Sequence, residues 1–275
     1  MLGLRELISS VPKTINLKQN KMKELLIMAA ATVFVMSCRK SNELVKETDT
    51  LEVQEKNMSL ITKFTGTGCS PCGSSGYTKF ENFKEEYKGK ATFLAFRSGV
   101  SMPDYFQAKK AISEQFGLRT STPSFSYNFV QDNSTKIKDH NNSSVVANSN
   151  YKLSISGDNL NLKTTTQFFQ NASGEFYLLP YIVVNGIVGY QNNHPDSPNT
   201  KLDQNVAGIA KPTSVSELNY LGYLIGTGNV LKGYKVNLDF DFKINPSWDQ
   251  DNIEIVLVVL KKEHCTYSFV NSFSK

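Results

Sequence analysis

The chain has 275 residues, 40% hydrophobic and 20% charged, with a formal net charge of +5. This is enough apolar material for one large domain or two modest ones. Five cations against two acids lie within residues 1–37, so the remainder is nearly balanced. It shows no basic stripe interleaved with aromatics, which argues against nucleic acid as a partner.

The first readable element is a leader, residues 1–37. Met22-Lys23 opens a short basic region, and Leu25–Met36 is apolar apart from Thr32. That run is too short to span a bilayer and suits the core of a secretory signal. It ends in Val35-Met36-Ser37-Cys38, a small residue followed by cysteine, the pattern of a bacterial lipobox. Cleavage after Ser37 and a diacylglycerol on Cys38 would anchor the protein to a membrane. An ordinary signal peptide, or an N-terminal membrane helix with an incidental cysteine, is the alternative. Residues 1–21 lack this logic and read as an extension upstream of a start at Met22. Arg39-Lys40 is not followed by aspartate, which by analogy with bacterial sorting signals favours the outer membrane. Residues 38–57 then read as the lipidated cysteine and a polar tether.

From residue 58 strand and helix patterns alternate. A strand at Ser59–Phe64 leads through Thr65-Gly66-Thr67-Gly68 into Cys69-Ser70-Pro71-Cys72. A helix follows, with Tyr77, Phe80, Phe83 and Tyr87 on one side, ending near Gly89. Ala91–Phe96 is an apolar strand. Pro103 opens a second helix that Gly117 closes, and Ser121–Tyr127 is a further strand beginning around Thr122-Pro123. This β-α-β order implies a mixed sheet flanked by helices. Residues 131–150 are polar and read as a linker with one short helix near Ser143–Ala147.

Beyond 150 the pattern turns to strands: Lys152–Ser156, Leu160–Phe169, Glu175–Val184, Ile187–Gln191, Leu218–Ile225, Tyr234–Ile244, Ile253–Leu260 and Thr266–Phe273. Gly157-Asp158-Asn159 and Asn185-Gly186 read as hairpin turns between them. The expected fold class is an α/β domain over 58–149 followed by an all-β, Ig-like sandwich domain over 150–275, mixed α+β overall.

Four cysteines are present. Export implies an oxidising compartment, where disulfides persist. With Cys38 assigned to lipid, Cys69 and Cys72 pair with each other, and Cys265 reads as a small buried hydrophobe rather than an intermolecular bridge. A C-x-x-C pair at a helix start favours a thiolate on its first cysteine. Cys69 is the expected attacker and Cys72 the resolver. Resemblance to thioredoxin-like folds, in which a cis proline opens the strand facing such a pair, implies that Thr122-Pro123 is its partner, with a preceding backbone that would hydrogen-bond a bound substrate. His140, His194 and His264 are scattered without metal-ligand spacing, so no metal or cofactor is expected. The single tryptophan, Trp248, is expected to plug one end of the sandwich.

Residues 58–149, through Phe64-Thr65-Gly66-Thr67-Gly68-Cys69-Ser70-Pro71-Cys72 and Thr122-Pro123, resemble a thioredoxin-like domain. The exported part as a whole resembles the outer-membrane-protein family of the 28-kDa class among Bacteroidetes lipoproteins. Phe176–Gln191, the nearby His194 and Tyr267–Asn271 are similar to segments of that family's second domain. The resemblance implies a lipobox, a thioredoxin-like domain, a C-terminal β-rich domain and a place in the cell envelope. Its partners would be a membrane, through the lipid on Cys38, and disulfide-bearing exported proteins. This chain departs from typical thioredoxins at Gly68, where they have tryptophan, and at Lys63, where they have a buried acid. Two functions therefore stand open: thiol-disulfide exchange, and a non-catalytic, adhesin-like binding module on a thioredoxin-like scaffold.

Overall fold

The strand Ser59–Gly66 (β1) is buried along its whole length, so neighbours must cover both faces and both edges. Ala91–Ser98 (β2) lies parallel to it, from Ser59 opposite Ala91 to Gly66 opposite Ser98. The crossover between them holds Ser70–Gly73 (α1) and Ser75–Glu86 (α2). Ser124–Tyr127 (β3) runs antiparallel on the other edge of β1, and Val130–Gln131 (β4) folds back on β3. The structure is a computed structural model that describes residues 51–102 and 104–275. The proposed lipidation site Cys38, the leader, most of the tether and Pro103 lie outside the described residues.

The helix Tyr105–Phe116 (α3) ends at Gly117, whose φ of 61° lets the Leu118 amide turn back to the Ser113 carbonyl. The β3–β4 turn places Asn128 and Phe129 at φ 53° and 60°. Asparagine tolerates that region, but phenylalanine does not readily. Phe129 is buried and stacks on Phe116 at 4.6 Å, and this packing holds it there.

The polar stretch expected to be a linker is structured. Its helix is Thr135–Asn141 (α4), not Ser143–Ala147. Ile137 buries with Ile61 and Phe80, and the Asn57 amide donates to the His140 and Ser143 carbonyls. Ala147–Ser156 (β5) then forms a hairpin with Asn159–Phe168 (β6) across Gly157-Asp158, as expected. After the short Ala172–Ser173 (β7), the ten-residue strand Glu175–Val184 (β8) becomes the centre of the later sheet. Asn185-Gly186 is not a hairpin turn. Both edges of β8 are occupied elsewhere, so Ile187–Gly189 (β9) pairs with Thr200–Leu202 (β10) instead.

The remaining strands are Asn205–Ile209 (β11), Lys211–Pro212 (β12), Tyr223–Gly226 (β13), Asn229–Val230 (β14), Lys235–Lys243 (β15), Ile253–Glu263 (β16) and Thr266–Phe273 (β17). Of the expected strand Leu218–Ile225, only the end is extended. A nine-stranded sheet runs β17-β16-β8-β11-β2-β1-β3-β4, with β13 also on β8. A second sheet, β12-β15-β6-β5, supplies Leu160, Leu162, Phe168 and Phe240 to the same core as β8 and β16. The fold is thus β-rich with a few helices. The boundary expected at 149/150 falls inside β5, and strands from both sides of it share the large sheet.

That sheet is continuous through one bridge. Asn205 of β11 sits opposite Ala95 of β2, and the Ala95 amide donates to the Gln204 carbonyl at 2.6 Å. A second tie lies at β17. Buried Asn271 accepts from the Met58 amide and donates to the Lys56 and Ala147 carbonyls. Trp248 is half-buried against the core's margin. Cys265 is exposed, contrary to expectation. It sits in the tight β16–β17 turn beside His264 at φ 57°, where the chain reverses at the surface and has no core to face.

Candidate functional site

β1 delivers the chain to the dithiol through a turn in which the Cys69 amide donates to the Gly66 carbonyl. Cys69 caps α1, and its sulfur accepts from the Cys72 amide at 3.2 Å. Cys69 and Cys72 are joined in a disulfide, with α-carbons 5.2 Å apart. The two cysteines are not equivalent: Cys69 is half-buried, whereas Cys72 is 1% exposed. A reagent from solvent therefore meets Cys69 first.

The Thr122–Pro123 peptide is cis, as the thioredoxin-like resemblance implies. Pro123 packs on α2: a β-carbon added at Gly76 would lie 2.9 Å from the proline ring and 3.0 Å from the Pro71 carbonyl. Glycine at 76 therefore allows the dithiol turn and the proline loop to close on the same helix. Thr122 is exposed beside them. An open pocket of about 280 Å³ adjoins Pro123, lined among others by Ser75, Lys79, Arg119 and Phe125. The Lys79 ammonium lies 4.9 Å from the centre of the Phe125 ring, and Arg119 pairs with Asp132.

Beneath α2 the sheet carries two buried cations. Lys63 is 1% exposed, with its ammonium 5.1 Å from the Phe80 ring. Burial above all, then the charges of Arg97 and Lys84, pull it down to about 7, against the opposing pull of Glu81. Arg97 is lowered by burial to about 10 and stays charged at neutral pH. Its guanidinium donates from Nε to the Asn205 side chain at 2.7 Å and from Nη1 to Gln191 Oε1 at 2.8 Å.

The dithiol turn is also packed by a segment the sequence reading did not connect to it, residues 190–199 between β9 and β10. Gln191 is 1% exposed. Its amide nitrogen reaches the carbonyls of Gly66, Cys69 and Thr67 at 3.1, 3.3 and 3.4 Å. Asn192 donates from its backbone to Thr67 and from its side chain to Gly68. Gly73 lies so close to this segment that a β-carbon there would stand 2.0 Å from the Asn192 carbonyl oxygen. His194 is buried and only partly satisfied. Its Nδ1 accepts from the Asp196 amide, its Nε2 has no partner, and its ring meets Tyr77 edge-on at 4.4 Å. A second cis peptide, Ser197–Pro198, lies in the same segment.

No protein-family model and no curated protein matches the chain. Among solved structures it is similar to HBP35 of Porphyromonas gingivalis, with a TM-score of 0.63 and 16% identity over 82% of this chain and 76% of that one. The chain shares the fold of HBP35. Two further likenesses are too loose to bear on fold or function. One is to a domain of the outer membrane lipoprotein Omp28 from P. gingivalis, with a TM-score of 0.25 and 9% identity over 46% of this chain and 89% of that one. The other is to the sporulation control protein Spo0M of Bacillus subtilis, with a TM-score of 0.25 and 11% identity over 47% of each chain.

Gln191, Asn192, Arg97 and Asn205 are the site residues that sequence reasoning missed. The only available signal was the position of Gln191 and His194 in the segment singled out by resemblance. Nothing local in the sequence indicated that this segment lies against residues 66–73. Among the described residues no cluster of three or more metal-ligating side chains occurs. No described helix is long and apolar enough to cross a membrane.

Proposed function

We propose that the chain is a cell-envelope lipoprotein that exchanges disulfides with exported proteins through Cys69 and Cys72, on a thioredoxin-like unit followed by an Ig-like β-sandwich. The observation that carries this reading is the asymmetry of the pair: a reachable Cys69 bonded to a buried Cys72. In the reduced protein the Cys69 thiolate would attack a substrate disulfide, releasing one substrate thiolate. The Cys72 thiolate would then displace the substrate from Cys69, so the substrate gains two electrons and the pair becomes a disulfide. The amide on the Cys69 sulfur favours its thiolate. The parallel β1–β2 pair, the antiparallel β3 and the cis Pro123 beside α2 support the thioredoxin-like unit. Envelope placement rests on the leader pattern and the lipid expected on Cys38.

Mixed-disulfide trapping tests it. Reduced Cys72→Ser should accumulate a covalent adduct with a disulfide-bearing substrate, and reduced Cys69→Ser should not. Equal trapping by both, or by neither, would refute the assignment. A second reading is favoured by the clamp that residues 191–192 place on the dithiol turn and by the cation at Lys63. In it the disulfide is static and the protein is a binding module. That reading predicts no adduct with either variant and unchanged partner binding when both cysteines become serine.

A further inference from the structure

We propose that Gln191 is a positioning residue for the Cys69–Cys72 pair: its amide, oriented by Arg97, pins the dithiol turn and thereby sets how readily the two sulfurs close on each other.

The orientation of this side chain is determined by its surroundings. Arg97 offers only donors, so the Gln191 oxygen turns toward it and the nitrogen points the other way. On that side lie three backbone carbonyls in the turn between β1 and α1. The Arg97 guanidinium is itself held by Asn205, whose amide nitrogen donates to the Val184 and Leu202 carbonyls. The turn is thus tied through Gln191 and Arg97 to β11 and the end of β8, elements more than a hundred residues away. Asn192 adds two hydrogen bonds to the same turn, and Gly73 admits the segment at a separation no side chain would allow.

The consequence follows from loop entropy. Closing a disulfide requires both sulfurs in one geometry. A turn held from outside has already lost most of the freedom that closure would remove. These bonds go to backbone carbonyls, not to sulfur, so they persist whether the pair is oxidised or reduced. They therefore raise the effective concentration of one thiol at the other.

The inference builds on the exchange reading, but its test is separable. The full chain is equilibrated across reduced and oxidised glutathione. Two glutathione thiols become one glutathione disulfide as the Cys69–Cys72 bond takes up two electrons and two protons. Peptide mapping then reports that pair alone, apart from Cys38 and Cys265. Gln191→Met, similar in length but without donors, should lower the effective concentration of the pair about tenfold, in line with the return of roughly one residue's worth of backbone freedom to the reduced turn. Tyr190→Ala, a change at an exposed neighbour in the same segment, should leave it within twofold. Should Gln191→Met not fold, Asn192→Ala removes only the exposed side-chain bond to Gly68 and should lower the value about threefold. A parental equilibrium constant in the folded Gln191→Met protein overturns the inference, as does one in Asn192→Ala if that is the variant that folds. A shifted constant in a protein that traps no substrate would leave the inference standing and remove the exchange reading. Substrate trapping with an unshifted constant would do the reverse.

Discussion

Toward α3, β1 and β2 present Leu60, Phe64, Leu94 and Phe96, which join Ala108 and Ile112 in the large core shared with the later strands. Toward α2 the same two strands present Ile61, Lys63, Ala95 and Arg97, packed with Phe80 and Phe125. Both faces are closed to solvent, yet only the second contains charge. The apolar face gains hydrophobic free energy from every side chain it buries. The other face gives up part of that gain to desolvate two cations, and it is the face below the disulfide. Stability and chemistry are thus divided between the two sides of one pair of strands.

The strongest challenge to that division is Phe96→Ala. Phe96 stacks on Phe64 at 5.4 Å and meets Tyr181 edge-on at 5.9 Å. Its loss should cost about 3–5 kcal/mol in denaturant unfolding. A cost below 1 kcal/mol would mean that this face is not the stabilising one. Gly73→Val should cost about 2–3 kcal/mol, because the Asn192 backbone must move aside. It should also speed reduction of the disulfide by a small thiol, since the clamp is displaced. Parental stability and reduction rate would show that the 191–194 segment does not press on α1.

Lys63→Met should have the opposite sign to Phe96→Ala at neutral pH, stabilising by about 1–4 kcal/mol. The sign of its pH dependence follows from the lowered value. Between about 7 and the ordinary lysine value the unfolded chain binds the extra proton and the folded one does not. The wild type therefore gains stability as pH rises through that window and carries the full penalty at and below about 7. The difference between variant and wild type in melting temperature should accordingly shrink from pH 7 to pH 10. A constant difference would indicate that burial does not lower the Lys63 value. The smallest effect belongs to Cys265→Ser, at an exposed turn: within about 0.5 kcal/mol, with the Cys69–Cys72 equilibrium unchanged.

Where a feature was local, the sequence carried it. Strict alternation in Val236–Phe242 marks β15, the β-branched and apolar run marks β8, and Gly117 ends α3. The dithiol at a helix start was legible in the same way, whereas the cis bond at Thr122–Pro123 was implied only by the thioredoxin-like resemblance. The misreadings of the linker and of Asn185-Gly186 were settled at a distance, that of Cys265 by the turn it sits in. Thr135–Asn141 is helical because Ile137 finds a core to enter. Asn185-Gly186 makes no hairpin because β16, β11 and β13 already occupy the edges of β8. Cys265 is exposed because its strand ends at the surface.

The amino-acid sequence alone placed Cys69 and Cys72 within reach of each other at a helix start, since three-residue spacing and local turn chemistry suffice for that. What surrounds the pair was decided only by tertiary structure. Gln191 meets the dithiol turn, and Arg97 meets Gln191, because the bridge at Ala95 and Asn205 joins early and late strands in one sheet. Such contacts form between groups separated by more than ninety residues, and no local pattern encodes them.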